Sequence, residues 1–400
     1  MCRAELAGPS PRYRNDSIGP PCKHTGERRV KHHLDVTRTE SAAMLCAVSA
    51  KEHGTGSTQA TRATLREVSA RADVALSTAS RVLNNGSASP ELRERVLAAA
   101  EAIGYRPHAL ARSLRTGATG TVAFLVPDIA NPLFGYIARG AAARFGAAGY
   151  SMLLAISDGR PERERSLIET MASRQVDGFL LSCTDETDAG LSELLSSLRV
   201  PIVLLDRELP VPGAHRVLIE HRRGIVEAVA HLAELGHRRI AYVGGAAIVR
   251  PGRERLAGFI AGMAERLPEA EPIVRLGSFG HDFGRTEALR LFADTAPPTA
   301  IISGGNQVST GVLEAVREAG KDIPSELSFV GCDDIDALVL NNPPMTVVSR
   351  SVEEMGSEAA DLLLAALHGE VSEPTTRVIY SRLVVRGSTR RPAEATGRTR

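Results

Sequence analysis

The sequence contains no tryptophan and only five cysteines in 400 residues. The cysteines are Cys2, Cys22, Cys46, Cys183 and Cys332. They have neither the paired spacing of a disulfide framework nor the C-x-x-C spacing that is common in zinc sites. This usage argues against disulfides and against a metal, and it favours a reducing compartment. We therefore expect a cytoplasmic protein without a bound metal.

Long apolar segments are also missing. No run approaches the roughly 18 consecutive apolar residues that a membrane-spanning helix needs. The apolar patch at 42–48 is flanked by acidic residues, and it is too short for the core of a secretory signal. The sequence therefore gives no reason to expect a membrane partner.

The signature motifs of common enzyme classes are absent as well. The sequence contains no G-x-x-x-x-G-K-[ST], no G-x-S-x-G and no H-E-x-x-H. The glycine pairs at 244–245 and 304–305 lack the G-x-G-x-x-G spacing of a dinucleotide site. We predict that the protein is not an enzyme and needs no cofactor. We expect His221, His231 and His237 on a solvated helix face or at its end.

Residues 62–107 predict three short helices. Thr64 and Glu67 form a capping box, so a first helix is expected to begin at Leu65. A second helix is predicted at 76–83 after a tight break. Two short helices joined by so brief a turn are typical of a helix-turn-helix, whose second helix enters the major groove of DNA.

The side chains of the second helix suit that role. Ala79 and Val82 are expected to face inward, and Arg81 can donate to a guanine edge while hydroxyl groups reach phosphates. Leu76 can contact only a thymine methyl or a sugar. The DNA-contacting residues predicted in this head are Thr64, Leu76, Ser77, Thr78, Ser80, Arg81, Asn84 and Tyr105. The alternative is a small helical bundle that has no nucleic-acid partner.

Charge supports the DNA-binding interpretation. Residues 62–116 hold nine arginines and five acidic residues, a net charge of +4, on a chain whose net charge is +1. Residues 117–400 carry a net charge of −6. A basic head on an acidic body is typical of a module that follows a phosphate backbone, joined to a body that does not touch DNA.

Six segments in order resemble one family, the lactose/purine-repressor (LacI/GalR-type) family of bacterial transcription regulators. They are STASRVLN at 77–84, ERVLAAAEAIGYRP at 94–107, ALARSLRTGATGTVAFLVPDIANPLF at 109–134, GHRRIAYVGG at 236–245, RERLAGF at 253–259 and VGCDDI at 330–335. The resemblance covers about residues 63–389. It implies a homodimer that binds a near-palindromic operator in double-stranded DNA.

The resemblance also interprets residues 108–117, which composition alone describes as a linker. It implies a hinge helix that pairs with its counterpart over the operator centre and folds only on specific DNA. Leu114 would then enter a minor-groove step with Ala111 beside it, which kinks the duplex. His108 stands where the family usually has Asn. Residues 1–61 lack periodicity and predict a disordered extension, either a dispensable tail or a basic arm for DNA.

From residue 118 the pattern predicts an α/β body. The strand candidates are TVAFLV, YSMLLAI, DGFLLS, PIVLL, RIAYV, TAIIS and LSFVG, and the helix candidates include 134–148, 161–173, 222–235, 253–265 and 307–319. Apolar strands separated by amphipathic helices favour mostly parallel sheets covered on both faces. The fold expected for the whole chain is a helix-turn-helix head and a two-lobed body resembling periplasmic binding proteins.

The resemblance implies how the body, residues 118–390, divides. The lobes are expected at about 118–220 plus 321–347 and at about 221–320 plus 348–390, with chain crossings near Glu220, Gly320 and Ser349. Residues 391–400 are expected to form a polar tail.

Ligands of open α/β sheets lie at the carboxyl ends of the strands. The effector-binding residues predicted from these loops and from the family resemblance are Leu133, Phe134, Ser182, Asp206, Arg255, Phe279 and Asn306. Arg250 lies in a loop that departs from the commonest family form and is a weaker candidate. Asn306 stands where the family usually has Asp. Carboxylate, amide, guanidinium and aromatic groups together suit a sugar or another small polar molecule.

These features predict a sequence-specific transcription regulator, most simply a repressor, whose affinity for its operator is switched by a small sugar-like effector. The alternative is a periplasmic-type sugar-binding protein without a DNA role. That alternative would require a secretory signal and no helix-turn-helix, which is the reverse of this sequence.

Overall fold

The computed structural model describes residues 63–84, 86–105 and 118–393. The predicted extension at 1–61, the hinge at 108–117 and most of the tail lie outside the described residues. The predicted contacts of His108, Ala111 and Leu114 with DNA therefore remain predictions.

The head contains three helices, as the sequence predicts. They are α1 (Leu65–Arg71), α2 (Leu76–Leu83) and α3 (Pro90–Ala102). Thr64 and Glu67 form the capping box, with the Thr64 amide 2.6 Å from Oε2 of Glu67. Ser89 caps α3, whereas Ala75 gives α2 no side-chain cap. The helices enclose a small core built around Val68, Val82 and Val96.

The first lobe of the body, which we call lobe 1, is built on a six-stranded parallel sheet. Its strands are β1 (Thr121–Val126), β2 (Ser151–Ile156), β3 (Gly178–Leu181), β4 (Ile202–Leu205), β5 (His215–Glu220) and β11 (Thr376–Tyr380), and its helices are α4 (Pro132–Ala147), α5 (Pro161–Ser173), α6 (Ala189–Ser197) and α12 (Val352–Leu367). The strand order is β11-β5-β4-β3-β1-β2. Apolar clusters cover both faces of the sheet, which explains why its central strands are continuously apolar.

The second lobe, lobe 2, repeats this plan. Its strands are β6 (Ile240–Gly245), β7 (Ile273–Gly277), β8 (Ala300–Ser303), β9 (Ser328–Cys332), β10 (Thr346–Ser349) and β12 (Arg382–Val384), and its helices are α7 (Arg222–Glu234), α8 (Arg250–Arg266), α9 (His281–Phe292), α10 (Asn306–Glu318) and α11 (Asp336–Val339). The order is β12-β10-β9-β8-β6-β7, and only β12 runs antiparallel to its neighbour. Two apolar clusters again cover the two faces.

The predicted division of the lobes was wrong in part. Strands β9 and β10 pair in the lobe 2 sheet, so 321–347 belongs to lobe 2 and no crossing lies near Gly320. Helix α12 and strand β11 belong to lobe 1, so most of 348–380 does as well. The chain crosses between the lobes after β5, after β10 and after β11. A short strand–helix–strand connection keeps consecutive strands in one sheet, and that rule places β9 beside β8.

The prediction for the three histidines also needs correction. His221 precedes α7 and His237 follows it, as expected for a helix end, but their exposed fractions are only 2% and 1%. His237 lies within 2.9 Å of the hydroxyls of Thr299 and Ser328, and His231 is half-buried against Thr389. The helix ends are covered by the other lobe or by the C-terminal strand region. Burial by such distant segments cannot be predicted from the periodicity of the helix sequence. Among the helices of the described ranges, none has both the length and the apolar character to cross a membrane.

Candidate functional site

The outer face of α2 is polar and solvent-accessible. Ala79 and Val82 are buried against the other two helices, as the sequence predicts. Leu76, Ser77 and Arg81 are exposed, and Thr78 and Ser80 are half-buried on the same helix. The face that would meet a DNA groove is therefore presented by the head itself and needs no rearrangement of its core.

Three other predicted DNA-contacting residues have partners within the head. Asn84 donates through Nδ2 to the Ser80 carbonyl oxygen at 2.6 Å. Thr64 caps α1, and Tyr105 is half-buried against the head core. Their local roles fix the ends of the helices, which is compatible with backbone or hydroxyl contacts to phosphate.

The turn after α2 positions Arg81. The Gly86 amide donates to the Arg81 carbonyl oxygen at 2.8 Å, and Arg93 of α3 donates to the Gly86 carbonyl oxygen at 2.7 Å. A Cβ atom at Gly86 would lie 2.6 Å from Cγ of Arg81. Glycine allows the turn to pack this closely against the stem and the backbone of Arg81.

A cavity of about 620 Å³ lies between the two lobes of the body. It is lined by loops at the carboxyl ends of strands from both sheets. All seven predicted effector-binding residues line it: Leu133, Phe134, Ser182, Asp206, Arg255, Phe279 and Asn306. Cys183, which follows Ser182, is instead buried in the core of lobe 1.

Apolar groups form two walls of this cleft. Leu133 and Phe134 begin α4, where Pro132 occupies the first turn and the Asn131 side chain caps the helix. Phe279 faces the cavity from lobe 2 and lies against the backbone of Gly245, where a Cβ atom would overlap its ring. An aromatic ring held in this way can stack on the C–H face of a ligand.

Asp206 forms the polar floor on the lobe 1 side, and the buried His221, which does not line the cavity itself, contacts it. Nε2 of His221 lies 2.8 Å from Oδ2 of Asp206, and the amide of Ile219 donates to Oδ1 of Asp206 at 3.1 Å. Burial opposes ionisation of Asp206, but His221, Arg350 and Arg207 together hold its pKa well below the usual range. Burial also lowers the pKa of His221. The floor therefore holds a carboxylate beside a neutral imidazole.

Two arginines complete the floor from the lobe 2 side. Arg255 donates through Nη1 to the Gly304 carbonyl oxygen at 2.6 Å and through Nε to Nδ1 of His221 at 3.3 Å. Nη1 of Arg350 lies 2.6 Å from Oδ1 of Asp333, and both side chains are 3% exposed. Hydrogen bonds orient the Arg255 guanidinium, an ion pair holds that of Arg350 beside Asp333, and both arginines line the cavity.

Sequence reasoning missed His221, Asp333 and Arg350. His221 directly follows β5, Arg350 directly follows β10, and Asp333 directly follows β9. The available signal was the rule that ligands bind beyond strand ends. Applying that rule to VGCDD and to TVVSR would have found Asp333 and Arg350.

Two side-chain hydrogen bonds also join the lobes directly across the cleft. Nδ2 of Asn306 donates to Oδ1 of Asn131 at 2.7 Å, and Nε2 of Gln307 donates to Oδ2 of Asp128 at 3.0 Å. Asn306 therefore contributes both to the cavity wall and to a contact between the lobes. Arg250, the weaker candidate, contacts Asp206 from lobe 2.

Comparisons with known proteins agree with this architecture. The family model for "Bacterial regulatory proteins, lacI family" matches residues 64–108, and the model for a "Periplasmic binding protein-like domain" matches residues 229–389. The transcriptional regulator CelR of Thermobifida fusca is 35% identical over 337 residues, which are 82% of this chain and 98% of CelR.

Two solved structures show the same fold. A lac repressor dimer bound to operator and the anti-inducer ONPF superposes with a TM-score of 0.73 at 25% identity, and the match covers 82% of this chain and 99% of that chain. A complex of the transcriptional regulator CelR with cellobiose has a TM-score of 0.63 at 31% identity, covering 82% of this chain and 100% of that chain.

Proposed function

The chain belongs to the lacI family of bacterial regulatory proteins, and on that premise we propose that it is a repressor. Its affinity for the operator would be controlled by a sugar-like effector bound in the cleft. As a family member it is a DNA-binding, ligand-responsive transcription regulator. The observation that carries the finer proposal is the presence, in one chain, of an exposed polar recognition helix and a polar cleft between two lobes.

The head supports binding to a half-site through α2. Arg81 has the fork of donors that recognises a guanine edge, and Ser77, Thr78 and Ser80 can donate to phosphate or base acceptors. Leu76 adds an apolar contact beside them. A homodimer would present two such helices to a near-palindromic operator, because the symmetry of the protein is matched by that of its site. A DNA partner implies a cytoplasmic location.

The cleft supports a small polyhydroxylated effector. Phe279 and Phe134 offer apolar faces, while Arg255, Asn306 and Ser182 offer donors and acceptors at the strand ends. Sugars present this combination of C–H faces and hydroxyl groups. A solved structure of the related regulator CelR is a complex with cellobiose, and that precedent supports a sugar or sugar derivative here.

Effector and operator would be coupled through the arrangement of the lobes. An effector changes DNA affinity only to the extent that it binds one arrangement more tightly than the other. Because the head is joined to lobe 1, a change in the lobes alters the spacing of the two heads in a dimer. The hinge segments at 108–117 would then form or lose helix on the operator.

The test has two arms. Duplexes selected from fragmented genomic DNA should share a near-palindromic site, and sugars that raise the melting temperature of the protein should change its affinity for that site. Binding to all duplexes with equal affinity, at physiological salt and with or without sugars, would refute the regulatory proposal. A selected site without any response to sugars, but with a response to other metabolites, would refute the sugar assignment alone.

A further inference from the structure

The two rims of the cleft are bridged by different chemistry. At one rim, which we call the amide rim, Asn306 and Gln307 of lobe 2 donate to Asn131 and Asp128 of lobe 1. Both donors are neutral amides. The Asn306–Asn131 contact is neutral at both ends and is worth little net free energy when the alternative partner is water, whereas the Gln307 amide donates to a carboxylate.

At the other rim, which we call the charged rim, two arginines of α8 meet two glutamates of lobe 1. Nη2 of Arg253 lies 3.0 Å from Oε2 of Glu186 and 2.8 Å from Oε2 of Glu208. Nε of Arg250 lies 3.2 Å from Oε1 of Glu208. The side chain of Glu186 is only 6% exposed and that of Arg250 only 12%, whereas those of Arg253 and Glu208 are 40% and 45% exposed, so solvent and salt reach part of this cluster.

Arg250 also reaches past the rim into the floor. Its Nη1 lies 3.2 Å from Oδ1 of Asp206, and the same nitrogen donates to the carbonyl oxygen of Ile219. Its backbone amide donates to Oε1 of Glu186 at 2.8 Å. Arg250 is the first residue of α8, so this amide has no partner within the helix. These protein partners of its backbone and its side chain are available only while the lobes are together.

We propose that Arg250 and Arg253 form an ionic latch that holds the lobes closed through Glu186, Glu208 and Asp206, independently of any effector. Opening the cleft would leave Glu186 without its guanidinium and amide partners and would strip Asp206 of one cation. The His221 contact to Asp206 adjoins the first crossing and can persist on opening, whereas Arg250 lies 30 residues beyond it. When the cleft opens, the contacts of Arg250 and Arg253 are therefore the ones that break.

The latch sets how much of the protein is closed before the effector arrives. Apparent effector affinity scales with the fraction of molecules already in the binding-competent arrangement. A charged latch makes that fraction depend on ionic strength. The effect on effector affinity rests on the proposed function. The closure of the lobes by the latch does not, and closure can be measured without DNA or effector.

Amide hydrogen exchange on the full chain tests the latch. The peptide 246–252 contains the Arg250 amide and reports the charged rim, while peptides covering 128–134 and 304–310 report the amide rim. The variant Arg253→Gln removes two charged contacts and leaves the Arg250 amide in place. The matched control is Arg285→Gln, which removes an exposed arginine that pairs with Glu318 within lobe 2.

We expect exchange in 246–252 to become about tenfold faster in Arg253→Gln, as for the loss of a partly buried, charge-assisted contact. The amide-rim peptides should become faster as well, because the lobes separate as bodies. Raising the salt to about 1 M should reproduce the effect in the unaltered protein, because the screening length then falls to about 3 Å. Arg285→Gln should match the unaltered protein in all three peptides.

Three results would overturn the latch. One is unchanged exchange in 246–252 of Arg253→Gln. Another is faster exchange there while the amide rim stays unchanged, which describes a local contact. The third is an equal response to Arg285→Gln. Each result leaves the proposed regulatory function untouched, because that function is tested by operator and effector binding.

Discussion

Nε2 of His221 lies 2.8 Å from Oδ2 of Asp206, next to the first crossing between the lobes. On the other side of the ring, Nδ1 faces Nε of Arg255 at 3.3 Å. Arginine can only donate, so Nδ1 must accept and the proton must sit on Nε2. The neutral imidazole thus links a carboxylate of lobe 1 to a guanidinium of lobe 2.

This geometry predicts that acid weakens the fold through His221. Protonation would place a proton on Nδ1 and remove the bond from Arg255, which agrees with a pKa lowered by burial from its ordinary value of 6.5. As pH falls below about 6.5, the unfolded chain binds that proton and the folded chain does not. The free energy of unfolding should therefore decrease as the pH falls. His221→Gln keeps a donor and an acceptor without titrating. Its melting temperature should therefore depend less on pH between about 5 and 7 than that of the unaltered protein. An equal dependence in both would contradict this role.

Glu164 should have the opposite effect on the pH dependence of stability, because it should destabilise the fold as the pH rises. It is buried in lobe 1, where burial raises its pKa to about 7, although the Thr184 amide donates to both of its oxygens at 3.2 Å. Between about 4.5 and 7 the folded chain holds a proton that the unfolded chain has lost, so Glu164 costs stability as pH rises through this window. Glu164→Gln should remove that cost. The variant should gain melting temperature relative to the unaltered protein at pH 7.5, and the gain should shrink towards pH 5. A gain that is independent of pH would show that Glu164 does not titrate in this window.

The local sequence predicted helix boundaries correctly where capping residues mark them. Thr64 and Glu67 predicted the start of α1, because caps depend on neighbours in the chain. The predicted helix at 161–173 coincides with α5. The partners of β9 and β10 could not be predicted in this way, since an apolar strand fits either buried sheet equally well.

The site shows the same contrast. Asp206, Arg255 and Asn306 were predicted from strand ends and from family resemblance, and the structure brings them to one cavity. His221 was predicted on a solvated helix face or at its end, and it does lie at a helix end but is buried there. Its burial is produced by Asp206 and Arg255, which lie 15 and 34 residues away in the chain. Contacts of that kind become visible only when the lobes are assembled.

Arg81 should carry sequence discrimination in the head. Its side chain is exposed on α2, and its stem packs against the turn at Gly86. Arg81→Ala should weaken specific binding by about 1–3 kcal/mol and relax the preference at one base position. Arg95, which is exposed on α3, provides the matched control, and Arg95→Ala should leave the base preferences intact. The comparison requires binding curves on the selected operator and on its single-base variants. An Arg81→Ala profile that matches the unaltered profile at every position would remove Arg81 from base recognition.

Asn306 provides a test of hydrogen-bond direction across the cleft. Its Nδ2 donates to Oδ1 of Asn131, and the same Oδ1 accepts from the Leu133 amide at 3.0 Å to cap α4. Asn131 cannot turn its amide without losing that cap. Asn306→Asp, which restores the residue usual in the family, would therefore set a carboxylate oxygen against an oxygen that cannot move away.

We expect Asn306→Asp to lower effector affinity by about tenfold, equivalent to about 1.4 kcal/mol, because the closed arrangement loses a contact and gains a repulsion. Asn131→Asp is the matched control, since a carboxylate at that position still accepts from both Asn306 and Leu133. Titration calorimetry with the effector should show a near-normal dissociation constant for Asn131→Asp and a weakened one for Asn306→Asp. Equal losses in the two variants would mean that added negative charge in the cleft, rather than the direction of this hydrogen bond, decides the affinity.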